Sequence, residues 1–164
     1  MSRNVPRLSE AQWFGLRFFA ILGAFSVLAW VISLPQQLGL AQRGLAEAAT
    51  WLAHLTGGTS RVYEDQIQVA ALAIHINHEC TGVYVLIILC TFLLAYPARW
   101  SARMSGLLIG IVALTVINVV RLSFLVRVAE LQPALFSYFH EYVWQGVFLV
   151  LVIAYAMSWV EHST

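Results

Sequence analysis

Residues 13–34 run almost without charge, long enough to cross about 30 Å of hydrocarbon as a helix. Three further apolar runs follow, at about 79–96, 105–126 and 139–160, the first of them stopped by Pro97. This spacing predicts an all-α integral membrane protein with about four transmembrane helices, in one domain over residues 1–164. A basic start, with Arg3 and Arg7 before an apolar run, is also the pattern of a cleaved signal peptide. The run exceeds a typical signal-peptide core and no small-x-small cleavage site follows, so residues 13–34 are expected as an anchor with Pro35 at its end.

The stretch between the first and second spans follows a different rhythm. Over residues 38–56, Leu38, Leu45, Trp51, Leu52 and Leu55 fall on roughly one helical face, with Gln42, Arg43 and Glu47 on the other. An amphipathic helix lying in the membrane interface is expected there. Gly57 and Gly58 break it, and Arg61 to Asp65 is the most charged stretch of the chain. From Gln66 the apolar positions Ile67, Val69, Leu72, Ile74 and Ile76 interleave with Gln68, His75 and Asn77, apart from Ala70 and Ala71. Short extended segments, such as a hairpin, are expected before the second span.

Composition sharpens this picture. Of the residues, 60% are hydrophobic and 10% charged, and the mean hydropathy is +0.78, far more apolar than an average soluble domain. All 9 basic residues other than histidine are arginine, and the net charge of +1 gives no reason to expect a nucleic-acid partner. On one helix, Cys80 and Cys90 would stand about 15 Å apart, too far for a disulfide.

Short-loop arginines set the expected orientation. Arg3 and Arg7 before the first span, and Arg99 and Arg103 between the second and third, share one side, which the positive-inside rule makes cytoplasmic. Arg43, Arg61 and Arg127 fall on the other side. Both termini are then inside, and the start of the second span, the end of the third and the start of the fourth meet at the outer face. Cys80, Arg121 and His140 therefore converge at one depth.

These three residue types fit nucleophilic chemistry. A cysteine attacks as thiolate, a histidine takes and returns the proton, and an arginine donates paired hydrogen bonds to a developing oxyanion. Arg121 carries most of the inference, because a charge on a membrane helix faces protein or water, or marks function. Asn118 shares its face at i, i+3. Gly82 removes bulk beside Cys80, while Glu79 and Glu141 could orient a histidine or simply partner a helix dipole. Three other histidines, His54, His75 and His78, compete with His140 for the base role.

Two other readings stay open on the residues alone. Arg121 and Asn118 could line the polar cavity of a non-catalytic membrane subunit or small transporter. His75, His78, Cys80 and His140 are all zinc-ligand types, as a zinc-dependent hydrolase would need, although their spacing matches no tight zinc motif. Haem is disfavoured, since the histidines sit at helix ends. No metal and no cofactor is expected.

Cys80-Thr81-Gly82, then Asn118-Val119-Val120-Arg121 closing a helix, then His140 opening the last one, resemble the exosortase/archaeosortase family, over about residues 60 to 160. The resemblance implies a membrane cysteine protease or transpeptidase, with Cys80 as nucleophile, Arg121 as the family's arginine and His140 as its histidine. It implies partners too: exported proteins bearing a C-terminal motif, a transmembrane helix and a basic tail, together with membrane lipid and a surface polymer or lipid as acceptor. It implies the bacterial inner membrane, with the active site facing the periplasm. The chain is compact beside larger members, which carry additional spans, so the substrate motif is not implied.

Overall fold

The computed structural model describes residues 9–32, 38–64, 66–69, 72–77 and 80–163. Helix α1, Glu10–Val31, opens on a capping box: the Gln12 amide donates to Ser9 Oγ (3.3 Å), and the Ser9 amide donates back to Gln12 Oε1 (2.8 Å). Its expected end at Leu34 and Pro35, and the arginines Arg3 and Arg7, lie outside the described residues. Helix α2 is Gly39–Leu55, followed by strands β1 (Arg61–Tyr63), β2 (Gln66–Val69) and β3 (Leu72–His75). Then come α3, Val83–Ala95, α4, Trp100–Leu131, and the continuous helical run α5, Pro133–Ser163. By length and composition α1, α4 and α5 can each cross a membrane. The fold is that of a mostly helical membrane protein.

Two segments depart from the expected bounds. Helix α3 begins at Val83 rather than at 79, and its 13 residues span about 20 Å, short of a bilayer's hydrocarbon. Helix α4 runs 32 residues, where 105–126 was expected. Its last turns fall in what was expected as the connection between the runs 105–126 and 139–160, but Arg127 and Glu130 form an ion pair at i, i+3 along the helix. Val126 and Ala129 beside them are buried.

Those last turns of α4 belong to a head built on the amphipathic helix. Helix α2 packs against α4 through Ala46, Ala49 and Ala53, all fully buried. On the apolar face expected to lie in the membrane interface, Trp51 and Leu55 are each 64% exposed, while Leu45 packs partly buried against the core. Small residues let the two helix backbones approach, and the large apolar side chains are left on the outer surface.

The three strands form an antiparallel meander in the order β1-β2-β3, with Ile67 opposite both Val62 and Ile74. Ile67 and Val69 drop into the same core as the α2 alanines. Glu130 fastens this head to α4, its Oε1 accepting from the Thr59 amide at 2.7 Å.

Below the head lies a second core, of Leu89, Leu93, Leu114 and Phe148, between α3, α4 and α5. The buried stripe of α4 recurs every fourth residue as Gly106, Gly110, Leu114, Asn118 and Leu122. Gly106 and Gly110 are the small pair of a GxxxG contact. A Cβ on Gly110 would come within 2.8 Å of Leu89 Cδ2 and 3.0 Å of Tyr155 Cε1. At the Arg99 end, Trp159 Nε1 donates to the Ala102 carbonyl at 3.1 Å, and Phe14 of α1 packs edge-on against Phe92 of α3.

Candidate active site

Cys80 sits at the seam between these two cores, 4% exposed and a member of the head cluster. The turn that presents it is held on both sides through its backbone. Its amide donates to Asn77, with both the Oδ1 and the main-chain oxygen at 3.0 Å, and its carbonyl accepts from Asn118 Nδ2 at 2.8 Å. Gly82 follows in the left-handed region (φ 72°, ψ 10°) as the N-cap of α3. Glycine is needed there for the sign of φ, since a Cβ would meet Asn118 only at an ordinary 3.7 Å. Thr81 Oγ1 takes the Val83 amide (3.4 Å), a cap that Gly82 cannot supply.

His140 arrives from the start of α5. The segment Phe139–Val143 is a π-helical turn, a local widening often found at functional sites. The imidazole lies parallel to the ring of Phe136, one turn earlier, with centroids 5.6 Å apart and planes 17° apart. Its Nε2 is 3.8 Å from Cys80 Sγ. Sixty positions of sequence are thereby closed to a contact between a thiol and a ring nitrogen.

Arg121 comes from the third element, α4, one turn beyond Asn118. Its guanidinium lies over the face of Phe148, 5.4 Å from the ring centre, and interacts electrostatically with Cys80. Arg121 Nε is buried with no hydrogen-bond partner among the described residues, and so is Trp144 Nε1. Buried donors of this kind are normally satisfied, so two of them beside one cavity indicate a place made for an acceptor. That cavity, of about 350 Å³, is walled by Cys80, Gly82, Arg121, His140 and Trp144 with apolar residues below. Asn118 Oδ1, fully buried, is likewise unpartnered among the described residues.

Cys80, Arg121, His140, Asn118 and Gly82 are thus gathered at one site. Glu141 is exposed and does not wall the cavity among the described residues, while Glu79 and His78 lie outside them. The rival histidines go elsewhere: His54 Nε2 is 2.7 Å from the Ser60 carbonyl oxygen, and His75 is exposed at the end of β3 opposite Gln66. Among the described residues no three His, Cys, Asp or Glu side chains are grouped as a metal would need. Cys80 and Cys90 are not joined in a disulfide.

Two contributors were not singled out from the sequence. Trp144 could have been, because it lies four residues after His140 and so on the same helical face. Asn77 could not, because its role depends on how the turn folds back on Cys80.

The Cys80 amide is committed to Asn77, so it is not free to receive an oxyanion, as the nucleophile's own N–H does in many acyl-transfer sites. Donors must then come from side chains: Arg121, Trp144, Tyr84 and Gln145 line the cavity, and of these Arg121 Nε and Trp144 Nε1 are buried without a partner among the described residues. A thiol, a ring nitrogen in reach of it and unpaired donors around a partly apolar cavity together suit acyl transfer. Compared with known proteins, residues 7–159 match the family described as transmembrane exosortase. No curated protein and no solved structure matches.

Proposed function

Because the chain belongs to the transmembrane exosortase family, we propose that it is a cysteine peptidase or transpeptidase acting on sorting signals of exported proteins at the outer edge of the bacterial inner membrane. The observation that carries this reading is the 3.8 Å approach of Cys80 Sγ to His140 Nε2, beside the unpartnered Nε of Arg121. Both termini lie in the cytoplasm in this reading, because Arg99 and Arg103 mark the end of the bundle opposite Cys80.

The steps follow from the geometry. His140, with Nε2 unprotonated, takes the thiol proton, and the thiolate forms a C–S bond to a backbone carbonyl of the signal. The carbonyl oxygen becomes an oxyanion facing Arg121 and Trp144. As it collapses, the C–N bond breaks and His140 gives its proton to the departing amine. An amine or hydroxyl acceptor on a surface polymer or lipid, or water, then attacks the thioester. The acceptor loses its proton to His140, the C–S bond breaks, and His140 returns the proton to the departing thiolate, regenerating the Cys80 thiol. A substrate anchored by its own membrane helix keeps its scissile segment at the depth of this cavity, which raises its effective concentration.

The arginine is tested by Arg121→Lys, which keeps the charge but removes Nε and the planar fork of donors. Turnover of a co-expressed substrate is expected to fall about 100-fold, the scale of a lost oxyanion donor, with little change in membrane abundance. Near-normal turnover in this variant would remove Arg121 from the oxyanion role.

A further inference from the structure

The turn that carries His140 departs from the repeat of its own helix, and a contact from outside accounts for the departure. In an α-helix five residues turn about 500°, so positions 139 and 144 would stand about 140° apart and could not share a partner. In the π turn Phe139–Val143 the repeat is i to i+5, which brings those two positions over one another. Both then reach one side chain of α4. Phe124 meets the Phe139 ring with centroids 5.4 Å and planes 66° apart, and the Trp144 ring at 5.6 Å and 70°, edge to face in each case. Among the described residues Phe124 does not wall the catalytic cavity and belongs to neither core. It stands one turn beyond Arg121, with no contact to the reacting atoms.

We infer that Phe124 is a positioning residue, whose ring clamps Phe139 and Trp144 in the π register and so holds His140 against Cys80; the inference rests on the peptidase reading above. Beyond the turn α5 is fixed, because Phe148 is buried in the second core and Trp159 is bonded to the Ala102 carbonyl. If the turn closed to the α repeat, the chain before Trp144 would be the part to move, by about 100° for one residue of register. His140 Nε2 would then leave its place 3.8 Å from Cys80 Sγ. Phe136 steadies the imidazole from the head side, its ring parallel to that of His140 and packed against the head core. That stack does not select the register, since positions 136 and 140 are four apart and an α-helix already brings them together. Phe139 and Trp144, five apart, do select it.

The test reads the thiol before it reads cleavage. The full chain carrying Cys90→Ala, which leaves Cys80 as its one thiol, is alkylated in membranes with iodoacetamide over a range of pH. Phe124→Ala is expected to slow alkylation about tenfold at neutral pH, toward the rate of His140→Gln, because a thiol without a base is mostly un-ionised there. The deficit should vanish in alkali, where the thiol ionises unaided. Phe124→Tyr keeps the ring and should restore the rate. Phe124 is 41% exposed, so its truncation leaves both cores packed. Phe139→Ala removes the other half of the clamp and should slow alkylation equally, and the double variant should be no slower than either single one, as members of one unit behave. With a processed substrate, kcat of Phe124→Ala should fall about 100-fold, the scale of a small misplacement, with KM unchanged. An alkylation rate in Phe124→Ala equal to that of the unaltered ring, deficits that add in the double variant, or a change in KM with kcat intact overturns the assignment. His140→Gln, run alongside, separates the two claims: if it alone slows alkylation, the clamp fails and the peptidase reading stands. If it leaves the rate unchanged, the proton-transfer role of His140 fails and the clamp with it.

Discussion

Cys80→Ala is expected to stop processing of the substrate, lowering turnover by at least about 10⁴-fold, as removal of a nucleophile does elsewhere, while the protein still accumulates in the membrane. The separation of the two effects comes from how the residue is held. Asn77 and Asn118 grip its amide and carbonyl, not its sulfur, so the turn keeps those hydrogen bonds when the side chain is shortened. The lost sulfur leaves a small void in the head core, a cost of about 1 kcal/mol. Cys90, in the middle of α3, serves as the control, and Cys90→Ala is expected to leave processing intact. Quantitative blotting of membranes for enzyme and for cleaved product reads both quantities. Processing that survives Cys80→Ala would sink the peptidase reading.

His140→Gln is expected to cost about 10² to 10⁴-fold in turnover, the range for a lost general acid–base. Glutamine keeps a polar group of similar reach but cannot take up the thiol proton. A positioning role alone would leave the reactivity of the thiol unchanged, so alkylation of Cys80 by iodoacetamide is the sharper readout. The rate at neutral pH should drop in the variant and recover as the medium becomes alkaline enough to ionise the thiol unaided. For the unaltered protein, processing should decline in acid, where the imidazole is already protonated and has no lone pair to offer Cys80. An alkylation profile identical in the two proteins would take His140 out of the proton-transfer role.

How these residues come together was only partly legible in the sequence. The long apolar runs gave three spans correctly in kind, and the i, i+3 spacing of Asn118 and Arg121 already placed two polar groups on one helical face. Their meeting with Cys80 followed from the count of spans. The contacts between helices were less legible. On α2 the leucine and tryptophan face was expected to lie in the membrane interface, and Trp51 and Leu55 are exposed; the alanines through which the helix packs were not singled out. In lipid, size rather than hydrophobicity marks the helix contact, because the surrounding tails are as apolar as any side chain.

Two charged stretches also departed from expectation. Arg127 and Glu130 read as a loop, although they pair along a helix that continues to Leu131. Arg61 and the adjoining Glu64 obscured β1, an edge strand whose exposed Arg61 is the kind of charge that keeps such an edge from pairing further. The first residues of the second span looked helical from hydropathy alone. Gly82, with its positive φ, instead starts α3 at Val83 and leaves Cys80 on a turn, where its sulfur can face His140. Nothing local in the sequence reveals that the Cys80 amide is occupied by Asn77, and that contact is what leaves a proposed oxyanion to side-chain donors.

The most direct measurement is intact and peptide mass spectrometry of the enzyme after co-expression with exported proteins bearing a C-terminal apolar helix and a basic tail. Acid quenching preserves a thioester long enough for it to be located. An acyl adduct on Cys80, absent from Cys90 and lost in Cys80→Ala, is the expected result. Substrate cleaved at normal rates with no adduct on Cys80, or an adduct carried by another residue, would contradict the assignment of Cys80 as the nucleophile.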